Sequence, residues 1–440
     1  MNQENKSMPL VTVGIMHAPQ LQVVFNGTYH CNGTTVEGEQ SLQLTEGNIN
    51  WQGGHWQELE FVPADDDASF TLRGVTIGVS FHWRRQEDQT FKGALRVIIE
   101  DGALVPVNVL SVEDYLKSVI SSEMSAHASL ELLKAHAVIS RSWLLAQVRK
   151  DKNAATHVMS HMLDTADEQV KWWDRDDHDN FDVCADDHCQ RYQGITRATT
   201  ATVEQAIDAT RGQVLMHGGE LCDARFSKSC GGVMEEFENC WEPHHYNYLE
   251  ARRDSENEND FPDLTREDNA AEWILSKPDA YCNTTDPAIL SQVLNDYDQE
   301  TKDFYRWSVE YTQDELAALI KQRTGIDYGR ICDLQPVARG TSGRLYKLRI
   351  VGEKRTRVIG KELTIRYALS PSCLYSSAFI VERYDIGADG YPASFVLRGA
   401  GWGHGVGLCQ IGAAVMGARG IGYKTILLHY YPGASIETIY

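Results

Sequence analysis

Between residues 111 and 145 the chain repeats its apolar residues at helical spacing, inside a sequence otherwise built from short alternating runs. Ser111 offers an N-cap oxygen, and Asp114 three residues on supplies the acid of a capping-box pattern. Val112, Tyr115, Leu116, Val119 and Ile120 then fall on one helical face, and one more turn brings Glu123 and Met124 onto the same stripe. A carboxylate on an apolar stripe loses hydration, which tends to raise its pKa and suits it to donate a proton. The plain alternative is a capping or salt-bridged acid near a helix end. A second helix starts near Ser129, with Leu130, Leu133, Ala137 and Leu144 on one side. Lys134 and Arg141, seven apart, share a face and either aim at one anionic partner or form a solvated basic edge. Cations close to Glu123 would lower its pKa, against the effect of desolvation.

The flanking sequence is of another kind. Pro9 to Met16, Leu21 to Phe25, Ser69 to Leu72 and Ala94 to Ile99 alternate or run apolar between Gly and Asn turns, so residues 1–105 read as a β-rich region. Residues 106–440 read as a second unit carrying the helices and an acidic, partly helical insertion at about 252–305. Tyr311 to Ile320 is expected to form a capped helix, and Arg339 to Leu369 β-hairpins. The class is α+β, with β-rich lobes around the helical segment that carries the acid.

A chain of 440 residues, 42% hydrophobic, is long enough for two packed lobes, and its formal charge of −21 argues against nucleic-acid or anionic-membrane binding. Ala64 to Asp67, Asp174 to Asp177 and Asp254 to Asp260 read as solvated acidic loops. No apolar run is long enough for a membrane span, and the first residues lack the apolar core of a signal peptide.

Two further constellations stand out. Gly401, Gly403, Gly405 and Gly407 alternate with Trp402, His404 and Val406. In an extended strand the glycines would line one face, admitting a flat sugar or a neighbouring sheet. Trp402 offers an apolar face and His404 a neutral donor or acceptor. In the second, Cys184 and Cys189, with His178 and His188 beside them, have the donor types of a tetrahedral zinc site; a local disulfide or two free thiols are the alternatives. Cys222, Cys230, Cys240 and Cys282 have no spacing that fixes a pairing.

The helical segment reads Tyr115-Leu-Lys-Ser-Val-Ile-Ser-Ser-Glu123-Met and Leu132-Leu-Lys134-Ala-His136-Ala-Val-Ile-Ser-Arg141. The end of the chain adds Gly401-Trp-Gly-His404-Gly-Val-Gly-Leu-Cys-Gln410-Ile-Gly-Ala413 and, further on, Tyr430-Tyr431-Pro-Gly433. These blocks, with Phe226-Ser-Lys-Ser-Cys-Gly-Gly232 between them, resemble the SpoIID/LytB family of sporulation proteins and amidase enhancers. Ser125 stands where the family has Pro, His136 where it has Gln, and Leu408-Cys409 where it has Met-Ser. The His178 to Tyr192 stretch resembles the metal-binding element of zinc-bearing members. The resemblance implies lytic cleavage of peptidoglycan glycan strands, with Glu123 as general acid and base and a 1,6-anhydromuramic product. Lys134, Arg141, Trp402, His404 and Gln410 would hold substrate; Tyr430 and Tyr431 either help or are core residues. His178, Cys184, His188 and Cys189 would hold a structural zinc ion. It also implies an extracytoplasmic setting, reached either from a trimmed precursor or by an unusual export route. A non-catalytic enhancer of a cell-wall amidase and a zinc hydrolase are the other functions such a chain could have.

Overall fold

The computed structural model describes residues 7–77, 85–125, 128–148, 162–172, 178–186, 188–196, 199–293 and 303–440. Asp174 to Asp177 and the end of the acidic insertion, 294–302, lie outside the described residues.

The N-terminal third forms strand because β-branched and aromatic residues alternate with polar ones. Leu10–Gly14, Ala103–Ser111, Ala94–Glu100, Leu59–Pro63, Gln20–Cys31 and Thr34–Thr45 lie side by side in that order, all antiparallel. Asn32 and Gly33 join the last two, both with positive φ (50° and 78°), which favours a tight hairpin. Val23, Phe25, Phe61 and Phe70 fill the interior, with the Phe25 and Phe61 rings 4.9 Å apart. The strand Ala103–Ser111 runs straight into the first helix, α1 (Val112–Glu123), so the position expected to divide two units falls within a continuous strand. One hydrophobic cluster runs from this sheet through the helices to the C-terminal segment.

Ser111 caps α1 as its sequence suggests: its Oγ accepts the Asp114 N–H at 3.1 Å. The second helix, α2 (Leu130–Val148), is less amphipathic than expected. From Leu132 to Leu145 only Lys134 escapes full burial. It packs as a central helix, and residues expected on a solvated edge are enclosed.

A second cluster, from Trp307 to Leu397, forms a separate lobe. Its strands Ile331–Arg339, Leu345–Gly352 and Thr356–Gly360 form the expected hairpins, but the chain then turns into a helix, Glu362–Ala368. The expected capped helix is Gln313–Thr324, with Thr312 and Glu315 forming a full capping box. The acidic insertion carries helices Glu267–Leu275 and Pro287–Val293. Segments on either side of this lobe meet in the main body: Glu235 pairs with Val406, and its N–H donates to the Gly405 carbonyl at 2.9 Å. Adjacent ends are what allow one domain to be inserted into another.

Candidate active site

Glu123 closes α1, half-buried beneath the stripe of Val112, Tyr115, Leu116, Val119 and Ile120, all fully buried. A distant stretch of chain lies along this helix. Tyr192 stacks on Tyr115 with centroids 5.1 Å apart, and the Gln193 N–H donates to Ser118 Oγ at 3.1 Å. One residue before Tyr192, the Arg191 N–H donates to Glu123 Oε1 at 3.1 Å. A main-chain donor has no rotamers to lose, so this bond fixes one oxygen of the acid. No local pattern in the sequence pointed to Arg191.

That stretch emerges from the Cys/His loop. Val183–Cys184 adds to the edge of the large sheet, parallel to Val13 and Gly14. Cys189 Sγ lies 3.6 Å from His178 Nε2 and 3.5 Å from His188 Nδ1, and the four donor atoms of His178, Cys184, His188 and Cys189 lie within 4.8 Å of one another. Hydrogen bonding from Cys189, then from His178 and His188, pulls the Cys184 thiol well below its usual range, outweighing desolvation. All ten cysteines are thiols here, so the local disulfide is not formed. Two sulfurs and two imidazoles so close fit a tetrahedral, borderline-soft cation.

The glycine block is not a strand. Gly401, Gly403, Gly405 and Gly407 all have positive φ, between 70° and 92°. The chain wraps a buried guanidinium: Arg344 donates to the carbonyls of Gly403 (3.1 Å) and Cys230 (3.0 Å). A Cβ on Gly405 would stand 2.5 Å from Arg344 Nη1, and one on Gly407 2.1 Å from the Arg225 carbonyl oxygen. The alternation therefore reflects left-handed turns and close approach, with Gly as the residue that suits both. Glu235, fully buried, anchors the same loop by accepting from Thr341, Ser342 and Asn239. Neither Arg344 nor Glu235 carries a local sequence signal.

The remaining expected residues divide. Trp402 is half-buried, 4.5 Å from Tyr375 and 4.7 Å from Phe304 between ring centroids. His404 packs edge-on to Trp241 and accepts the Val406 N–H on Nδ1 at 3.0 Å; burial, then the charge of Arg225, holds it neutral. Gln410, fully buried, reaches His136 Nε2 at 3.2 Å and Met124 Sδ at 3.5 Å, which links the C-terminal block to the residue beside Glu123. Burial and the nearby Lys228 charge push His136 down to about 3, so it serves as a neutral hydrogen-bonding group. Lys134 is partly exposed and paired with Glu131 at 2.7 Å.

Two expectations are corrected, for Arg141 and Asp254, and the choice left open for Tyr430 and Tyr431 is decided. Arg141 does not share an open face with Lys134: its side chain is 0% exposed and bidentate on Glu113, at 3.0 and 2.7 Å. Tyr430 and Tyr431 are core residues bonded to Asp254 and to the Arg225 carbonyl. Asp254, expected in a solvated loop, is fully buried, whereas Asp65, Asp66 and Asp67 are exposed as expected.

Fold and site thus define an α+β protein with one acid at a helix end, braced from behind by a Cys/His loop and from the side by a glycine-rich C-terminal block. Residues 100–217 match the family described as Stage II sporulation protein, and residues 235–407 match a domain of unknown function, DUF8618. The chain is 26% identical over 405 residues to an uncharacterized protein of Brachyspira hyodysenteriae, covering 92% of this chain and 82% of that one. It is also 26% identical over 341 residues to the amidase enhancer of Bacillus subtilis, covering 73% of this chain and 40% of that one. Residues 100–217 thus carry a domain of the Stage II sporulation protein family. The DUF8618 match contains the whole of the second cluster, and its two ends lie side by side at Glu235 and Val406.

Proposed function

We propose that this protein acts on the bacterial cell wall, cleaving peptidoglycan glycan strands as a lytic transglycosylase with Glu123 as the catalytic acid. The observation that carries this reading is the setting of Glu123. It is half-buried at the end of α1 and oriented by the Arg191 N–H, within the segment that matches the sporulation family. Glu123 protonates the bridging oxygen between muramoyl and glucosaminyl units as the bond breaks, then accepts the proton of the muramoyl C6 hydroxyl as that oxygen closes on C1. The product is a 1,6-anhydro end. Because the nucleophile is internal to the substrate, one carboxyl group serves both steps, where hydrolysis uses two.

Trp402 supplies a ring face for a sugar, and Lys134 a charge at the rim. Gln410 and His404 are positioning residues: Gln410 holds Met124, the residue after the acid, and His404 holds the glycine loop. His178, Cys184, His188 and Cys189 hold a structural zinc ion; four protein ligands close its shell. Its loop holds Arg191 against Glu123. The substrate places the protein outside the cytoplasm; no helix among the described residues is long and apolar enough to cross a membrane.

A second reading is a glycan-binding enhancer of a cell-wall amidase, favoured by the name of the Bacillus subtilis relative. Mass spectrometry of denuded glycan strands digested in labelled water separates these. Anhydro ends without label support the transglycosylase. Labelled reducing ends indicate a hydrolase, and intact strands with a stimulated amidase indicate the enhancer.

A further inference from the structure

Apart from the Cys/His loop, three cysteines and a carboxylate from four separate segments converge inside the protein. Cys230 follows the strand Phe226–Ser227, and Cys409 ends its parallel partner Leu408–Cys409. Cys282 lies in the loop after helix Glu267–Leu275, and Asp254 in the loop before it. Their exposures are 2%, 0%, 0% and 0%. One ligand atom from each lies within 4.8 Å of the others, and Cys230 Sγ is 3.6 Å from Cys282 Sγ.

Several features of this cluster point to a ligand. Thiolates about 2.3 Å from a tetrahedral zinc stand about 3.8 Å from each other, close to the separation found and well beyond the ~2.05 Å of a disulfide. A disulfide would also engage only two of the three sulfurs. Main-chain donors are aimed at sulfur: Cys230 N–H to Cys409 Sγ at 3.3 Å, and Gly232 N–H to Cys230 Sγ at 3.4 Å. Such bonds favour the charged, ligating form of a thiol. Asp254 is oriented by the Tyr430 hydroxyl (2.7 Å) and the Cys282 N–H (2.9 Å), with His429 Nε2 3.7 Å from Oδ1, and lone pairs remain on Oδ2. A Cβ on Gly412 would lie 2.6 Å from Asp254 Oδ1, so the helix backbone is bare where the carboxylate enters. Burying a carboxylate against three sulfurs is costly, and a cation among them would add to the offset that His429 supplies.

We propose that Cys230, Cys282, Cys409 and Asp254 form a second, closed metal site for a borderline-soft divalent cation of the zinc class. It ties the insertion to the start of helix Gln410–Ala418, so it fixes Gln410 and, through Gln410, Met124 beside Glu123. It does not depend on the proposed catalytic activity.

The test is the zinc content and X-ray absorption of the full chain purified under reducing conditions. About two zinc ions per chain are expected. The double variant C184S/C189S should keep one, with a shell dominated by sulfur. C282S should also keep one, with a mixed nitrogen and sulfur shell. If C282S does not fold, the double variant still reads the second site with its ligands intact. One zinc in the wild type, lost in C184S/C189S, would overturn the proposal. So would a Cys230–Cys282 disulfide in peptides mapped without reductant from protein kept under reducing buffer until alkylation.

Discussion

The family motif ends on Arg141, and its burial makes a prediction that separates a fold residue from a substrate residue. Arg141 Nε and Nη2 hold the two oxygens of Glu113, and Nη1 donates to the Gln213 carbonyl at 3.0 Å. Glu113, only 4% exposed in its side chain, also accepts from the Gly212 N–H and the Tyr440 hydroxyl. Arg141→Met keeps much of the volume but leaves a buried carboxylate without its cation, a loss of about 3–5 kcal/mol. Adding Glu113→Gln removes the stranded charge and should recover a large part of this, so the two changes will not be additive. Burial alone would raise the Glu113 pKa, but the hydrogen bonds and charge of Arg141 outweigh it and hold it below the ordinary range. The pair's stabilisation is therefore present above the unfolded-state pKa and is lost as pH falls through the depressed folded value. Urea unfolding followed by circular dichroism, for both single variants and the double, measures the loss and the coupling. An Arg141→Met variant that unfolds with the wild-type midpoint yet loses glycan affinity would refute this reasoning, since the guanidinium would then be reaching substrate.

Glu123→Gln should lower strand cleavage by about 10²–10⁴-fold, read by chromatography of muropeptide-free glycan, with the unfolding midpoint retained. His136 is neutral when folded, with its pKa near 3 against 6.5 unfolded, so stability is full above 6.5 and falls as pH drops toward 3. At about 1.4 kcal/mol per pH unit, roughly 2 kcal/mol is lost by pH 5, and His136→Gln should flatten that slope in urea titrations. Gly405→Ala, at φ 80° and 2.5 Å from Arg344, should cost about 1–3 kcal/mol in the same assay. Chelating metal from the His178 cluster should speed hydrogen exchange at the Arg191 N–H, and unchanged exchange would separate that loop from the acid.

What the sequence could disclose followed the range of the forces involved. The cap of α1 and the apolar stripe under Glu123 are local, set within four residues, and both were legible. So was the Cys/His group, whose four donors lie within eleven residues of chain. The glycine block misled because a two-residue alternation suits a strand as well as a run of left-handed turns. Only Arg344, some sixty residues away, and the Arg225 carbonyl decide between them. Asp254 misled in the same way. Its neighbours Ser255 to Asp260 have the composition of a solvated loop, yet Tyr430 and the Cys282 N–H draw this one carboxylate inside.

The supports of the acid come from opposite directions. The Arg191 N–H approaches from the Cys/His loop, and Gln410 reaches Met124 from the C-terminal block. His136 ties the second of these to α2: its Nε2 meets Gln410 while its Nδ1 meets Ser140 at 3.2 Å. Where the family has Gln, this chain has a histidine that burial keeps neutral, so it can accept and donate one bond each without bringing a charge near the acid. A protonated imidazole there would favour the ionised form of Glu123 and oppose proton donation. The substitution is therefore compatible with acid catalysis because the site is dry, and the same dryness makes the fold sensitive to low pH. Activity loss on acidification should then track loss of the native state. His136→Gln would shift the acid limb of the activity profile downward together with the unfolding midpoint. A limb that stays in place while stability rises would refute this link between activity and folding.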